Sequence, residues 1–85
     1  MTTIFKFAAT SGIIEMPHGA QILSLQMYEN AVWIYAIVDP DMPLVHRRFA
    51  VYETGETLPA SPGVYVGTFV ESVGMSRYVG HLFEL

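Results

Sequence analysis

The chain reads as a small all-β domain: an antiparallel meander of about six to seven short strands forming a sandwich or barrel, with no substantial helix. Three observations predict it. Gly and Pro interrupt the chain roughly every ten residues, from Gly12 and Pro17 to Gly74 and Gly80, which is the punctuation of an all-β fold. The runs between them are rich in Val, Ile, Tyr, Phe and Thr. No window places apolar residues at the i, i+3, i+4, i+7 spacing of an amphipathic helix. At 85 residues, one domain spanning 1–85 is expected.

The first strand is expected from Thr3 to Ala9, closed by Thr10-Ser11-Gly12. A short strand from Ile13 to Met16 runs into Pro17, which has no amide hydrogen to donate and so ends the pairing or lies on an edge. His18-Gly19 turns the chain. The strand from Ala20 to Tyr28 alternates, with Leu23, Leu25 and Met27 on one face and Ser24 and Gln26 on the other, Ile22 and Tyr28 lying at its ends. Glu29-Asn30 is expected to form a two-residue hairpin turn. Ala31 to Val38 is apolar on both faces, with Val32, Ile34, Ala36 and Val38 opposed to Trp33, Tyr35 and Ile37. Both faces then need cover, from a second sheet and loops or from another subunit.

Asp39 to Pro43 is a rigid turn. Val45 to Tyr52 alternates again, His46, Arg48, Ala50 and Tyr52 against Arg47, Phe49 and Val51. A loop from Glu53 to Gly63 leads to the last strands, Val64 to Glu71 and Tyr78 to Leu85, joined by a connection over Ser72 to Arg77.

Composition narrows the function. Apolar residues make up 52 % of the chain and charged residues 14 %, against about 25 % charge in ordinary soluble domains. A domain of this size buries only about 60–65 % of its unfolded surface. Disulfides, metals or partner chains commonly make up the deficit. There is no cysteine, so disulfides and thiolate sites are excluded, and a homo-oligomer is expected, with Trp33, Tyr35 and Ile37 as its interface. The net charge of −4 argues against nucleic acid and anionic membranes as partners. The absence of a long apolar run and of a basic-then-apolar leader fits a cytoplasmic protein.

Two groups of side chains stand out as ligand-binding candidates. The first is cationic: His46, Arg47, Arg48 and Arg77. Arginine forks match phosphate and carboxylate oxygens. Arg47 and Arg48 are sequence neighbours on one strand, so only one of them serves a given pocket. The plainer alternative is that these arginines pair with Glu53, Glu15 or Asp41. The second group is aromatic: Tyr52, Tyr65 and Tyr78, whose hydroxyls suit a pocket better than Trp33 in the most apolar strand. Beside arginine such rings sandwich a base, although core or interface packing is their ordinary use.

Asp39, Asp41 and His46 approach one another around one turn, but no His-x-His or Glu-x-x-His spacing is present, and no metal or other cofactor is expected. No serine lies in a Gly-x-Ser-x-Gly setting, and the carboxylates show no paired spacing, so the expectation is a protein that is not an enzyme. Thr10-Ser11-Gly12 and Thr54-Gly55-Glu56-Thr57 have the composition of small anion nests, as many turns do.

The run Ile14 to Gln26, Trp33 to Pro40, Arg48-Phe49-Ala50-Val51-Tyr52-Glu53-Thr54-Gly55, Tyr65-Val66-Gly67-Thr68-Phe69 and His81-Leu82-Phe83-Glu84 together resemble, in that order, a family of short uncharacterised proteins frequent in bacteriophage genomes. The resemblance covers most of the chain and carries no catalytic residue with it. It implies a context, the cytoplasm of an infected host. There, small proteins sequester nucleotide-derived immune signals in pockets between subunits, as Thoeris and CBASS countermeasures do. Others block a host defence protein directly, as anti-CRISPR proteins do, or serve as minor virion or assembly components. Arginines beside aromatics, together with an expected oligomer, favour sequestration of a small nucleotide-type anion at a subunit interface.

Overall fold

A computed structural model describes residues 1–85, the side chain of Val73 excepted. Seven strands form two antiparallel sheets, and there is no helix among the described residues, hence none long and apolar enough to cross a membrane. The strands are β1 (Thr3–Ala8), β2 (Gly12–Pro17), β3 (Gln21–Tyr28), β4 (Ala31–Val38), β5 (Leu44–Glu53), β6 (Val64–Val73) and β7 (Ser76–Glu84). One sheet has the order β1-β4-β3 and the other β2-β5-β7-β6. The arrangement is sandwich-like, as the spacing of turn residues predicts.

Alternation decides which face of each strand is buried. In β4, Val32, Ile34, Ala36 and Val38 are buried, while Trp33, Tyr35 and Ile37 are half-buried on the outer face. Phe49, Leu82, Met16 and Ile14 of the second sheet complete the core with them. β2 is an edge strand and Pro17 is its last residue, where the missing amide hydrogen breaks no ladder. Glu29 and Asn30 both have positive φ, 49° and 63°, and close the β3–β4 hairpin in two residues. That is the turn whose twist matches the flanking strands.

Two expectations are corrected. Leu23 does not share a face with Leu25 and Met27: it is the extra residue of a bulge between Ile22 and Ser24, and it is exposed. The bulge lets Ile22 join Leu25 against the core. The connection over Ser72 to Arg77 is mostly strand. Ser72 pairs with Arg77 and Val73 with Ser76, leaving Gly74-Met75 as a two-residue turn with Gly74 at φ 60°.

The sheets come together along β3 and β6 because of a glycine. A Cβ at Gly67 would lie 2.8 Å from the Cβ of Leu25, so any larger residue would hold the layers apart. Gly80 has a similar role within the second sheet. The Phe69 ring lies over it, and a Cβ there would fall 2.4 Å from the ring.

Candidate functional site

Register on the four-stranded sheet fixes what its outer face presents. Arg47, Phe49 and Val51 of β5 point inward. His46, Arg48, Ala50 and Tyr52 point outward. Ala50 lies opposite Phe83 and Tyr52 opposite His81 on β7. On the far side of β7, Tyr65 lies opposite Phe83 and Thr68 opposite His81. Two adjacent rows thus cross the sheet, Ala50–Phe83–Tyr65 and Tyr52–His81–Thr68.

The first row carries the rings of Phe83 and Tyr65, and Tyr52 of the second row joins them to make an aromatic row. Tyr52 and Tyr65 each approach Phe83 edge-on, both at 5.5 Å between centroids and at 67° and 64° between ring planes. The two tyrosines therefore flank a half-buried Phe83. Such tilted contacts are the favoured aromatic geometry. Tyr65 remains 56 % exposed.

The second row is polar. His81 Nε2 lies 2.8 Å from Thr54 Oγ1, and its Nδ1 lies 2.9 Å from Thr68 Oγ1. Thr68 Oγ1 lies 2.6 Å from the Tyr65 hydroxyl. A continuous chain, Thr54–His81–Thr68–Tyr65, thus runs beside the aromatic row. Hydroxyls both donate and accept, so either histidine tautomer is satisfied and the ring is held in one orientation. Thr54 is brought there by the turn after β5, whose geometry is closed by Glu53 N donating to Glu56 Oε1 and Glu56 N to Glu53 O.

Arg48 stands one row beyond Ala50 on the same face, about 7 Å along the strand. It is exposed, and its side chain makes no hydrogen bond or ion pair among the described residues. Its cross-strand neighbour is the exposed Ile13, and His46 further along is paired with Glu15 at 2.9 Å.

The candidate residues from sequence divide accordingly. Arg48, Tyr52 and Tyr65 are brought together, with His46 at the margin. Arg47 is turned to the opposite side. Its Nε and Nη2 donate to the two carboxylate oxygens of Glu84, at 2.5 and 2.6 Å, and its Nη1 donates to the Ala20 carbonyl at 2.6 Å. The hydrogen bond to Glu84 holds the guanidinium above its ordinary pKa, against the opposing effect of burial, with the charge of Glu84 adding to the rise. With its fork filled, Arg47 is a structural clasp between β5, β7 and the start of β3, and its partner is Glu84 rather than Glu53, Glu15 or Asp41. Tyr78 lies opposite Glu71, off the His81 face, and packs against Phe69 at 6.1 Å. Arg77 shares the outer face but lies four residues from His81 along β7, about 13 Å away. Asp39 accepts the Asp41 amide at 3.0 Å in an ordinary aspartate turn, and no group of three metal-ligating side chains occurs among the described residues.

Trp33, Tyr35 and Ile37 lie on the outer face of the other sheet. They are on the far side of the sandwich from Tyr52 and Tyr65. An interface centred on them does not lie over the aromatic row. Lys6 Nζ sits 4.4 Å from the centroid of the Trp33 ring, and the Trp33 Nε1 is buried without a hydrogen-bond partner.

Sequence reasoning did not single out His81, Thr68 or Phe83 for this site, and it took Thr54 only as part of a turn with the composition of an anion nest. Alternation along the last strand does put His81 and Phe83 on one face, but their alignment with Thr68 and Tyr65 depends on register.

These features define a two-layer antiparallel β domain with a polar and aromatic outer face on its larger sheet. The chain belongs to the family described as Domain of unknown function (DUF7352), whose model matches residues 1–85. No curated protein and no solved structure matches it.

Proposed function

We propose that the domain is a non-catalytic binding module that captures a small nucleotide-type anion on the outer face of the four-stranded sheet. The observation that supports this reading most is the alignment of an aromatic row, a hydroxyl–imidazole chain and an uncompensated arginine within adjacent rows of one face. In the proposed complex the base lies against Phe83 between Tyr52 and Tyr65. Its polar edge meets Thr68, His81 and Thr54, and its phosphate meets Arg48. Stacking of a base on aromatic rings is worth about 1–3 kcal/mol. A charge-assisted hydrogen bond adds about 1.5–3 kcal/mol. The two together suit a ligand held without chemistry.

The resemblance to bacteriophage proteins gives this reading a setting: sequestration of a nucleotide-derived immune signal in an infected cell. This reading draws the proposed binding face within one chain, and so differs from capture at an interface through Trp33, Tyr35 and Ile37. A second reading, docking onto a host defence protein, draws on a different observation: the exposed apolar side chains on the outer face of the smaller sheet, where Ile4 is 57 % and Tyr28 is 58 % exposed.

A calorimetric screen against cyclic nucleotides and cyclic ADP-ribose isomers tests the first reading. Saturable binding that weakens at least tenfold in Arg48→Ala and Tyr52→Ala, and is unchanged in Arg77→Ala, is expected. No heat from any of these ligands at high micromolar concentration contradicts it. A stoichiometric host protein retained from lysate, with no small ligand bound, favours docking instead.

A further inference from the structure

Four strands lie on sheet edges: β1 and β3 in one sheet, β2 and β6 in the other. An exposed edge is a template for pairing with another chain, and folded proteins block it with bulges, prolines or charges. Three of these edges each carry a device of this kind. β3 has the bulge at Leu23, β6 a bulge between Tyr65 and Gly67, and β2, regular in its pairing, carries the exposed charge of Glu15 and ends in Pro17. β1 has no bulge and no proline. Its pairing with β4 is regular from Thr3 to Ala8.

The one charge on β1, Lys6, does not guard the edge. Its ammonium is drawn back over the Trp33 ring of the neighbouring strand. The side chains beside the open edge are apolar and uncovered on both faces of the sheet: Ile4 is 57 % exposed outside and Phe5 42 % exposed inside.

We propose that β1 pairs antiparallel with β1 of a second copy of this chain, joining two three-stranded sheets into one of six strands. The sequence of β1 fits itself. Pairing centred on Phe5 places Phe5 opposite Phe5 of the partner, Thr3 opposite Phe7, and Ile4 opposite Lys6. Residues that face each other across an antiparallel pair share a face, so this register keeps both cores on one side. It also separates the two lysines, whereas centring on Lys6 would oppose them. Acidic repulsion between copies is weakest at this edge: residues 1–14 contain no carboxylate, although the whole chain has net charge −4. Six paired residues span about 20 Å. That is less contact than the ~800 Å² per partner of a standard interface, so the dimer is concentration-dependent. The inference is independent of ligand capture, because β1 lies on the other sheet from the aromatic row.

The test is sedimentation equilibrium of the full chain between about 1 µM and 1 mM, with two opposite charges placed at one exposed position. The native chain is expected to move from 9.5 kDa toward twice that mass. Ile4→Lys, opposite Lys6 of the partner, is expected to raise the dissociation constant at least tenfold. Ile4→Glu, which meets the same lysine, is expected to leave it unchanged or lower it. Amide exchange on β1 should slow as concentration rises while β4 exchange does not change. A native chain that stays at 9.5 kDa throughout, or two variants that weaken the dimer equally, overturns the proposal. Equal weakening is the signature of stacked faces, not paired edges.

Discussion

The two outer faces of the sandwich are built on the same alternation and end up chemically different. On the three-stranded sheet the outward positions of β1 and β4 are Ile4, Lys6, Trp33, Tyr35 and Ile37, with Lys6 the one charge among them. On the four-stranded sheet the outward positions include His46, Arg48, Tyr52, Tyr65, Thr68, Arg77 and His81, beside the apolar Ile13, Ala50 and Phe83. The first face has a buried indole N–H without a partner, the second a histidine with both ring nitrogens bonded. A period of two fixes which residues leave the core; it does not fix what they meet outside. What they meet is decided by pairing, and pairing assembled a polar chain on one sheet only.

The largest expected effect comes from the clasp that holds the second sheet in shape. Removing one partner of a well-bonded, largely buried ion pair leaves the other uncompensated. Arg47 and Glu84 are 21 % and 24 % exposed. Glu84→Ala is expected to lower stability by about 3 kcal/mol in urea denaturation, and Arg47→Met with Glu84→Leu to recover part of the loss. A double variant no better than the single one separates the two side chains. Because the folded-state pKa of Arg47 is raised, the stability its charge adds beside the ionised Glu84 is in place through neutral and mildly alkaline pH and is lost, at the alkaline end, only in strong alkali. The Glu84→Ala penalty is therefore expected to be flat between pH 6 and pH 9, within about half a kcal/mol. A penalty that disappears as pH rises through neutrality would assign the pair to another titrating group.

A smaller effect is expected at Gly80→Ala. Its methyl must displace the Phe69 ring, and overpacking of this kind costs about 1–3 kcal/mol. Thermal unfolding measures it, and Gly80→Ala combined with Phe69→Leu should lose less than the sum of the two. Strict additivity would show that the ring does not press on the glycine.

The smallest stability effect belongs to the site itself. His81→Ala removes two hydroxyl contacts from an exposed network and is expected to cost about 1 kcal/mol or less while abolishing ligand capture. A loss of several kcal/mol would make His81 a structural residue and move the functional reading elsewhere.

How much of this was legible follows from the range of each interaction. The β4 faces, the inward and outward sides of β5, the Glu29-Asn30 turn and the edge position of Pro17 are local, and alternation or turn chemistry gives them directly. The bulge at Leu23 is not: one inserted residue reverses parity, and nothing in Gln21 to Tyr28 marks where the insertion falls. The site shows the same division. Arg48, Tyr52 and Tyr65 stand out as residue types. Their union with His81 needs Thr68 and His81, thirteen residues apart, to fall opposite each other, and Thr54, twenty-seven from His81, to reach the same ring. Arg47 looked as available as Arg48 because its carboxylate lies thirty-seven residues away.

The most direct measurement is a backbone-amide NMR titration of the labelled chain with the cyclic nucleotides and cyclic ADP-ribose isomers. Shifts confined to Arg48, Tyr52, Thr54, Tyr65, Thr68, His81 and Phe83, with Trp33, Tyr35 and Ile37 unmoved, are the predicted result. Shifts centred on Trp33 and Ile37, or none on either face, would contradict the assignment of ligand capture to the four-stranded sheet.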